Sequence, residues 1–205
     1  MRALSRPFVA LLLLAAAPPA CISYAEQRLP VVASLPEPPP PEDRPTLTYT
    51  VRPVSSLGMN GTAGGFPDFN PERLNEEIPA VLQATGWFRS VEPAVEGKEG
   101  DLQLDIVLQS SGNDMIMVAS ACLLFIIPTW RTVTFDLTAE VRAKDGRWKR
   151  YEYVDEARDI YWLPFVLGMS FAPWGQVYPE LRENMVRTLV LDLHADGFLA
   201  RPPAP

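Results

Sequence analysis

The sequence predicts an α+β domain, with a mostly antiparallel sheet of four or five strands, two helices packed on one face, and apolar inserts at one end of the sheet. Three observations lead to this prediction. Several segments alternate apolar and polar residues with the two-residue period of a half-buried strand. An Asp-Gly turn joins two of them, and two other segments carry apolar stripes at helical spacing. The alternation indicates one packed face and one wet or lightly covered face.

The strand pattern occurs in residues 46–52, 101–109, 131–143 and 148–156. Between the last two, Lys144-Asp145-Gly146-Arg147 predicts a hairpin, because Asp-Gly accommodates the positive φ angles of a type I′ turn. The first three of these segments have their inward positions filled by apolar side chains. A further short strand is expected to begin with Trp87, Phe88 and Val91.

Two helices complete the predicted layer. Asn70-Pro71-Glu72 has the N-cap, first-position proline and first-turn acid of a helix start, and Gly86 supplies the end. Pro79 predicts a kink or a later start. The second helix is expected to begin at Pro179 and to close at Gly197. The apolar stripes of the two helices are Leu74, Ile78, Val81 and Leu82 in the first, and Leu181, Met185, Leu189, Val190 and Leu193 in the second.

Charge and cysteine content exclude several classes of protein. The chain of 205 residues carries a formal charge of −7, and without Arg2 and Arg6 of the leader the charge becomes −9. A chain this acidic lacks the excess positive charge that is typical of nucleic-acid-binding proteins. An anionic membrane surface would also repel it unless apolar contacts dominate. Two cysteines do not make a disulfide framework.

The N-terminal 20 residues predict an export signal. Arg2 and Arg6 form a positive region, followed by ten apolar residues from Phe8 to Ala17, too few to span a bilayer. Because Cys21 follows Ala20 directly, the segment resembles a bacterial lipoprotein signal, in which that cysteine is lipidated and becomes the mature N-terminus. Pro18 and Pro19 depart from the usual motif. Ile22 is not the aspartate that often marks inner-membrane retention, so the resemblance implies the outer membrane, facing the periplasm.

The predicted domain organisation follows from these segments. Residues 1–20 are the signal peptide, 21–45 a lipidated cysteine and proline-rich tether, 46–199 a single α+β domain, and 200–205 a disordered tail. LPEPPPPEDRP within the tether favours an extended polyproline II spacer that does not join a packed core. A proline-rich ligand for a partner domain is the alternative.

The residues show no arrangement typical of catalysis, and we expect no catalytic, cofactor-binding or metal site. His194 is the only histidine and lies late in the second helix, where an exposed or capping role is common. Residues 168–172 (GMSFA) lack the second glycine of a nucleophile elbow. Cys122 lies in an apolar run that would raise its pKa and leave it inert. The charge run from Asp155 to Asp159 is expected to be a solvated turn.

Two apolar inserts, residues 115–130 and 162–174, interrupt the sheet pattern. In a meander of the three central strands, both inserts emerge at the same end of the sheet. Tryptophans border them, as aromatic residues do at water–lipid boundaries. The inserts could instead be buried segments that complete the core. The predicted apolar contact surface comprises Phe125, Ile126, Trp130, Trp162, Phe165, Phe171 and Trp174.

The body also resembles a loosely defined group of uncharacterised proteobacterial lipoproteins. The resemblance is carried by residues 128–130 (PTW), 145–147 (DGR), Tyr151 with Tyr153, and 162–164 (WLP). It implies an envelope protein and transfers no catalytic residue. The expected function is therefore non-enzymatic: a lipid-anchored envelope protein that acts by contact, as an assembly or accessory subunit, through its apolar end. The alternative is a carrier of a lipid or other apolar ligand between sheet and inserts.

Overall fold

Six strands and two α-helices form the part of the chain that the computed structural model describes, which is residues 21–55, 70–97, 99–112, 129–161 and 174–199. The strands are β1 (Cys21–Ala25), β2 (Thr46–Ser55), β3 (Ser90–Pro93), β4 (Leu102–Gly112), β5 (Thr129–Ala143) and β6 (Trp148–Tyr161). The α-helices are α1 (Pro71–Ala84) and α2 (Trp174–Ala195), and a short 3₁₀ helix spans Pro41–Asp43.

All six strands lie in one mixed sheet, in the order β1-β6-β5-β4-β2-β3. β2 is parallel to both β3 and β4, and the other three neighbouring pairs are antiparallel. The α+β class is confirmed, while the sheet has six strands instead of four or five and is mixed. The parallel pairing of β2 with β3 has a plain cause: α1 connects them, and a crossover helix returns the chain in the same direction.

The core lies between one face of the sheet and the two helices. Even-numbered residues of β4 and odd-numbered residues of β5 point into it, as the alternation predicts. Ile106 and Leu108 of β4 are fully buried, as are Leu137 of β5 and Met185 of α2. No helix in the described ranges covers the opposite face, which carries the polar positions of β4, β5 and β6.

The predicted hairpin joins β5 to β6. The amide of Ala143 donates to the carbonyl of Arg147 at 2.8 Å, and Gly146 has a φ of +90°. Asp145 does not adopt a positive φ, so the turn is not of type I′. Its carboxylate instead accepts a hydrogen bond from the amide of Arg147 at 3.0 Å, which stabilises the longer turn.

The helices differ from expectation in one boundary. Asn70 caps α1 as predicted, its side chain accepting from the amide of Glu72 at 2.9 Å, and α1 continues through Pro79. α2 begins at Trp174, five residues before Pro179, so the prediction of a start at Pro179 is wrong. Tyr178, one residue before that proline, is only 2% exposed. The buried side chain of Tyr178 therefore packs the additional N-terminal turn of α2 against the core.

The expected tether is in fact packed on the domain. Residues 21–25 form β1, which pairs with the end of β6, and residues 26–45, named here the N-terminal strap, cross the helices to reach β2 at the far side of the sheet. The amide of Val32 donates to Oδ1 of Asn184 on α2 at 2.8 Å. Leu29 and Leu35 pack against the core. The prediction that this segment cannot join a packed core is therefore wrong: apolar side chains between the prolines supply the contacts.

We predict that Leu35→Ala lowers the free energy of unfolding by about 1–2 kcal/mol, less than a fully buried leucine would cost. Leu35 lines a groove between α1 and α2 that also includes Val81 and Ala84. Val31→Ala is the matched control, because Val31 lies in the same strap and is 60% exposed. Urea denaturation of both variants measures the difference. Equal stabilities would contradict the packing role of the strap.

Candidate functional site

One end of the sheet, named here the open end, is where four chain segments meet. Cys21, Tyr161 and Thr129 are direct partners across β1, β6 and β5, and β4 ends nearby at Gly112. The chain leaves the described strands here for residues 113–128, and again for residues 162–173. The predicted placement of both chain exits at one end is confirmed. That the first strand also begins here is a feature that the sequence did not reveal.

The predicted apolar contact surface is described in only two of its seven positions. Phe125, Ile126, Trp162, Phe165 and Phe171 lie outside the described residues. Trp174 begins α2, although its side chain is not described. Trp130 lies on β5, one row from the open end, and its side chain is 58% exposed on the face that no described helix covers. Its cross-strand partner is Ile160.

A buried carboxylate fastens the strands of the open end together. Asp159 of β6 is 1% exposed and accepts hydrogen bonds from Ser23 of β1 at 2.6 Å, Arg131 of β5 at 2.9 Å and Tyr178 of α2 at 2.5 Å. These four residues are named here the Asp159 junction. Charge-assisted hydrogen bonds of this length are among the stronger ones in proteins. Because both carboxylate oxygens are engaged, the arrangement holds β1 in place and does not present a free base.

A second carboxylate on the same strand binds the start of the N-terminal strap. Asp155, 2% exposed, accepts from the backbone amides of Arg28 at 3.0 Å and Glu156 at 2.9 Å. The guanidinium of Arg28 in turn lies 2.6 Å from the carboxylate of Glu156. The prediction that the charge run 155–159 forms a solvated turn is therefore wrong. Continuing the alternation of Tyr151 and Tyr153 to positions 155, 157 and 159 would have placed both aspartates on the packed face.

The Tyr-x-Tyr motif joins β6 to the end of α2. Tyr151 donates to Asp196 at 2.7 Å, and Tyr153 donates to Asp192 at 2.6 Å. Burial, followed by the hydrogen bond to a carboxylate, raises the pKa of both tyrosines well above the ordinary value. Both hydroxyls therefore keep their protons and act as structural donors at neutral pH.

The remaining sequence candidates do not assemble into a reactive site among the described residues. His194 is exposed, and its ring lies 4.6 Å from that of Trp87, centroid to centroid. Cys122 and residues 168–172 lie outside the described ranges. Within those ranges, no group of His, Cys, Asp and Glu side chains could hold a metal ion. Neither described helix offers a stretch long and apolar enough to cross a membrane.

An open cleft of about 560 Å³ lies at the opposite end of the sheet, beside the β5–β6 hairpin. Its lining mixes charges of both signs with one aromatic side chain, and includes Glu99, Glu140, Arg142, Lys144 and Trp148. Trp148 is 66% exposed. The two most exposed tryptophans of the described residues thus lie at opposite ends of the sheet, and both point to its uncovered face.

Comparison with solved structures gives distant similarities, two of which are to lipoproteins. The chain is similar to rare lipoprotein B from Shewanella oneidensis, with 10% sequence identity and a TM-score of 0.28, over 74% of this chain and 92% of that one. It is also similar to a provisionally assigned lipoprotein from Caulobacter crescentus CB15, with 11% identity and a TM-score of 0.25, over 75% of this chain and 93% of that one. No family model and no curated protein matches the chain. TM-scores this low do not establish a shared fold.

We predict that Asp159→Asn destabilises the domain by about 3–5 kcal/mol, because it leaves the buried Arg131 guanidinium facing a neutral amide. Arg131 is 6% exposed and cannot regain water without disrupting the open end. Glu152→Gln is the control on the same strand: its ion pair with Arg150 is exposed, and its loss should cost less than about 1 kcal/mol. Thermal and urea denaturation compare the two. A cost for Asp159→Asn as small as that of the control would contradict the structural role of the junction.

Proposed function

We propose that this protein is a non-enzymatic, lipid-anchored protein of the bacterial cell envelope that acts by contact through its open end. The observation that carries the proposal is the position of Cys21. The residue that would bear the lipid begins β1 and pairs with Tyr161, the last residue of β6 before the second apolar segment. Thr129, where the chain re-enters the sheet after the first apolar segment, lies in the same row. Cys21 and these two strand ends therefore lie at one end of the sheet. Ile22 following the cysteine favours the outer membrane, facing the periplasm, as the location.

A lipid anchor and apolar segments can act together in membrane contact. The acyl chains of a lipidated cysteine hold a protein at the membrane, and apolar residues add to that attachment in proportion to the apolar area that they bury. Apolar residues of the two segments can make this additional contact, or can meet a partner protein held at the same membrane. The sheet end with the charged cleft points away from this contact. A carrier that binds a lipid or other apolar ligand at the same end is the alternative function.

We predict that Cys21→Ser releases the protein from the membrane fraction, because the substitution removes the thiol that would carry the lipid. Carbonate-washed membranes from cells expressing each form, probed by immunoblot, measure the change. Mass spectrometry of the wild-type N-terminal peptide should show acyl chains on Cys21. A Cys21→Ser protein that stays in the washed membranes, together with an unmodified wild-type peptide, would show that the anchor proposal is wrong.

We predict that a charge in either apolar segment weakens membrane or partner association. The variants are Phe125→Asp, Ile126→Asp, Phe165→Asp and Phe171→Asp, and the control is Val95→Asp, since Val95 is 61% exposed and lies outside both segments. In a contact surface the added charge stays in water, so the melting temperature should remain near that of the control. Collapse of all four variants would instead place these residues in the core, since an unpaired buried carboxylate costs several kcal/mol.

Copurified lipid separates the contact protein from the carrier. Mass spectrometry of organic extracts from the purified Cys21→Ser protein should detect no stoichiometric lipid if the open end acts by contact. One tightly held lipid per chain, lost in the Phe125→Asp or Phe165→Asp variant, would favour the carrier.

A further inference from the structure

We propose that the bilayer itself is the first partner of the open end, and that the domain stands on it end-on, with Trp130 and Tyr24 in the headgroup layer. The inference rests on the proposed lipidation of Cys21 and adds to it the orientation and the contact residues. It follows from three features of the described residues: the absence of a spacer after Cys21, the position of two exposed aromatic side chains, and the pairing of nearby charges.

The first feature is that Cys21 is already part of the sheet. β1 begins at Cys21 and pairs residue by residue with β6 as far as Ala25. Two residues after the cysteine, the hydroxyl of Ser23 is bound to the buried carboxylate of Asp159. A lipid on Cys21 would therefore be joined to a fixed strand, without the extended polyproline II spacer that the proline content predicts. Because the anchor allows so little separation, the open end must lie at the membrane surface.

The second feature is the row-by-row position of the aromatic side chains. Starting from the row that contains Cys21, Trp130 lies in the second row and Tyr24 in the fourth, both on the uncovered face. At about 3.4 Å per residue these rows are about 3 Å and 10 Å from the end of the sheet. The headgroup layer is about 5–8 Å thick. Trp130 would then lie within that layer and Tyr24 at its outer boundary, where tryptophan and tyrosine are favoured.

The exposure of these side chains fits that position. Trp130 is 58% exposed and Tyr24 is 39% exposed, so neither is needed to complete the core. Ile160 lies beside Trp130 in the second row and is half-buried. Together they present an apolar edge on a face whose other described positions are mostly threonine and charged residues.

The third feature is that the charges nearest the open end are paired. In the four outermost rows of β1, β5 and β6 the charged residues are Arg131, Asp159 and Arg158. Arg131 and Asp159 neutralise each other in the interior. The Arg158 guanidinium lies 2.5 Å from the carboxylate of Glu26. The described strand rows of this end therefore carry no uncompensated negative charge, whereas the excess negative charge of the body as a whole is unfavourable near an anionic surface.

Two tryptophans on the same face provide the test. Trp130 and Trp148 lie twelve residues apart along the β5–β6 ladder, because Trp148 pairs with Arg142, which corresponds to about 40 Å. Full-length acylated protein is reconstituted into vesicles of phosphatidylethanolamine and phosphatidylglycerol with brominated acyl chains, which quench tryptophan fluorescence at short range. Trp130→Phe and Trp148→Phe are compared with the wild type, after their melting temperatures have been shown to match.

The end-on orientation predicts opposite shifts in the quenched fraction of the fluorescence. Trp130→Phe should lower that fraction because it removes a quenched emitter, and Trp148→Phe should raise it because it removes an unquenched one. An acylated, vesicle-bound protein whose quenched fraction does not fall in Trp130→Phe would overturn the orientation alone. A fall in both variants would show that the uncovered face lies flat on the bilayer, and would also overturn it. Wild-type protein without acyl chains would overturn this inference together with the proposed function.

Discussion

The carboxylate of Asp159 is the point on which the arrangement of the open end depends. A charge at 1% exposure is tolerated only where donors surround it, and here the donors come from β1, β5 and α2. Each of these elements is distant from the others in sequence. The same side chain thus fixes the edge strand, the start of the second helix and the ends of the central hairpin. Without it, β1 would lose the side-chain hydrogen bond that joins Ser23 to β6.

The fixed position of β1 changes the meaning of the proline-rich segment. A spacer would let the domain move relative to the lipid anchor, so that the anchor would not fix its orientation at the membrane. A strap that crosses both helices, with Leu29 and Leu35 on the core and Val32 bound to Asn184, joins the two into one rigid unit. The segment also joins the two sides of the sheet, from β1 at one edge to β2 near the other. Its prolines suit this role, because they favour an extended chain and do not compete for ladder hydrogen bonds.

The two faces of the sheet differ in burial, and its two ends differ in the side chains that they expose. One face is covered by the helices and supplies the stability of the domain. No described helix covers the other face, and near the open end it exposes the aromatic side chains of Trp130 and Tyr24. The far end carries the charged cleft beside the hairpin. This division favours a protein that is held at one end and is otherwise exposed to the aqueous compartment, which is the arrangement that the proposed envelope function requires.

The sequence by itself determined the local elements, because they depend on neighbouring residues. The alternation of β4 and β5, the capped start of α1 and the Asp-Gly hairpin were all predictable. The meander of these strands also predicted that the strand ends flanking the two apolar segments lie at one end of the sheet. The position of Trp130 at the border of an apolar run predicts a contact residue, and the structure shows that its side chain is exposed. Tertiary structure alone decided the parallel pairing of β2, the inclusion of residues 21–25 in the sheet and the burial of Asp155 and Asp159. Those features depend on partners more than 100 residues away for β1, and a short polar strand or a buried aspartate has no local pattern that distinguishes it from a linker or a solvated turn.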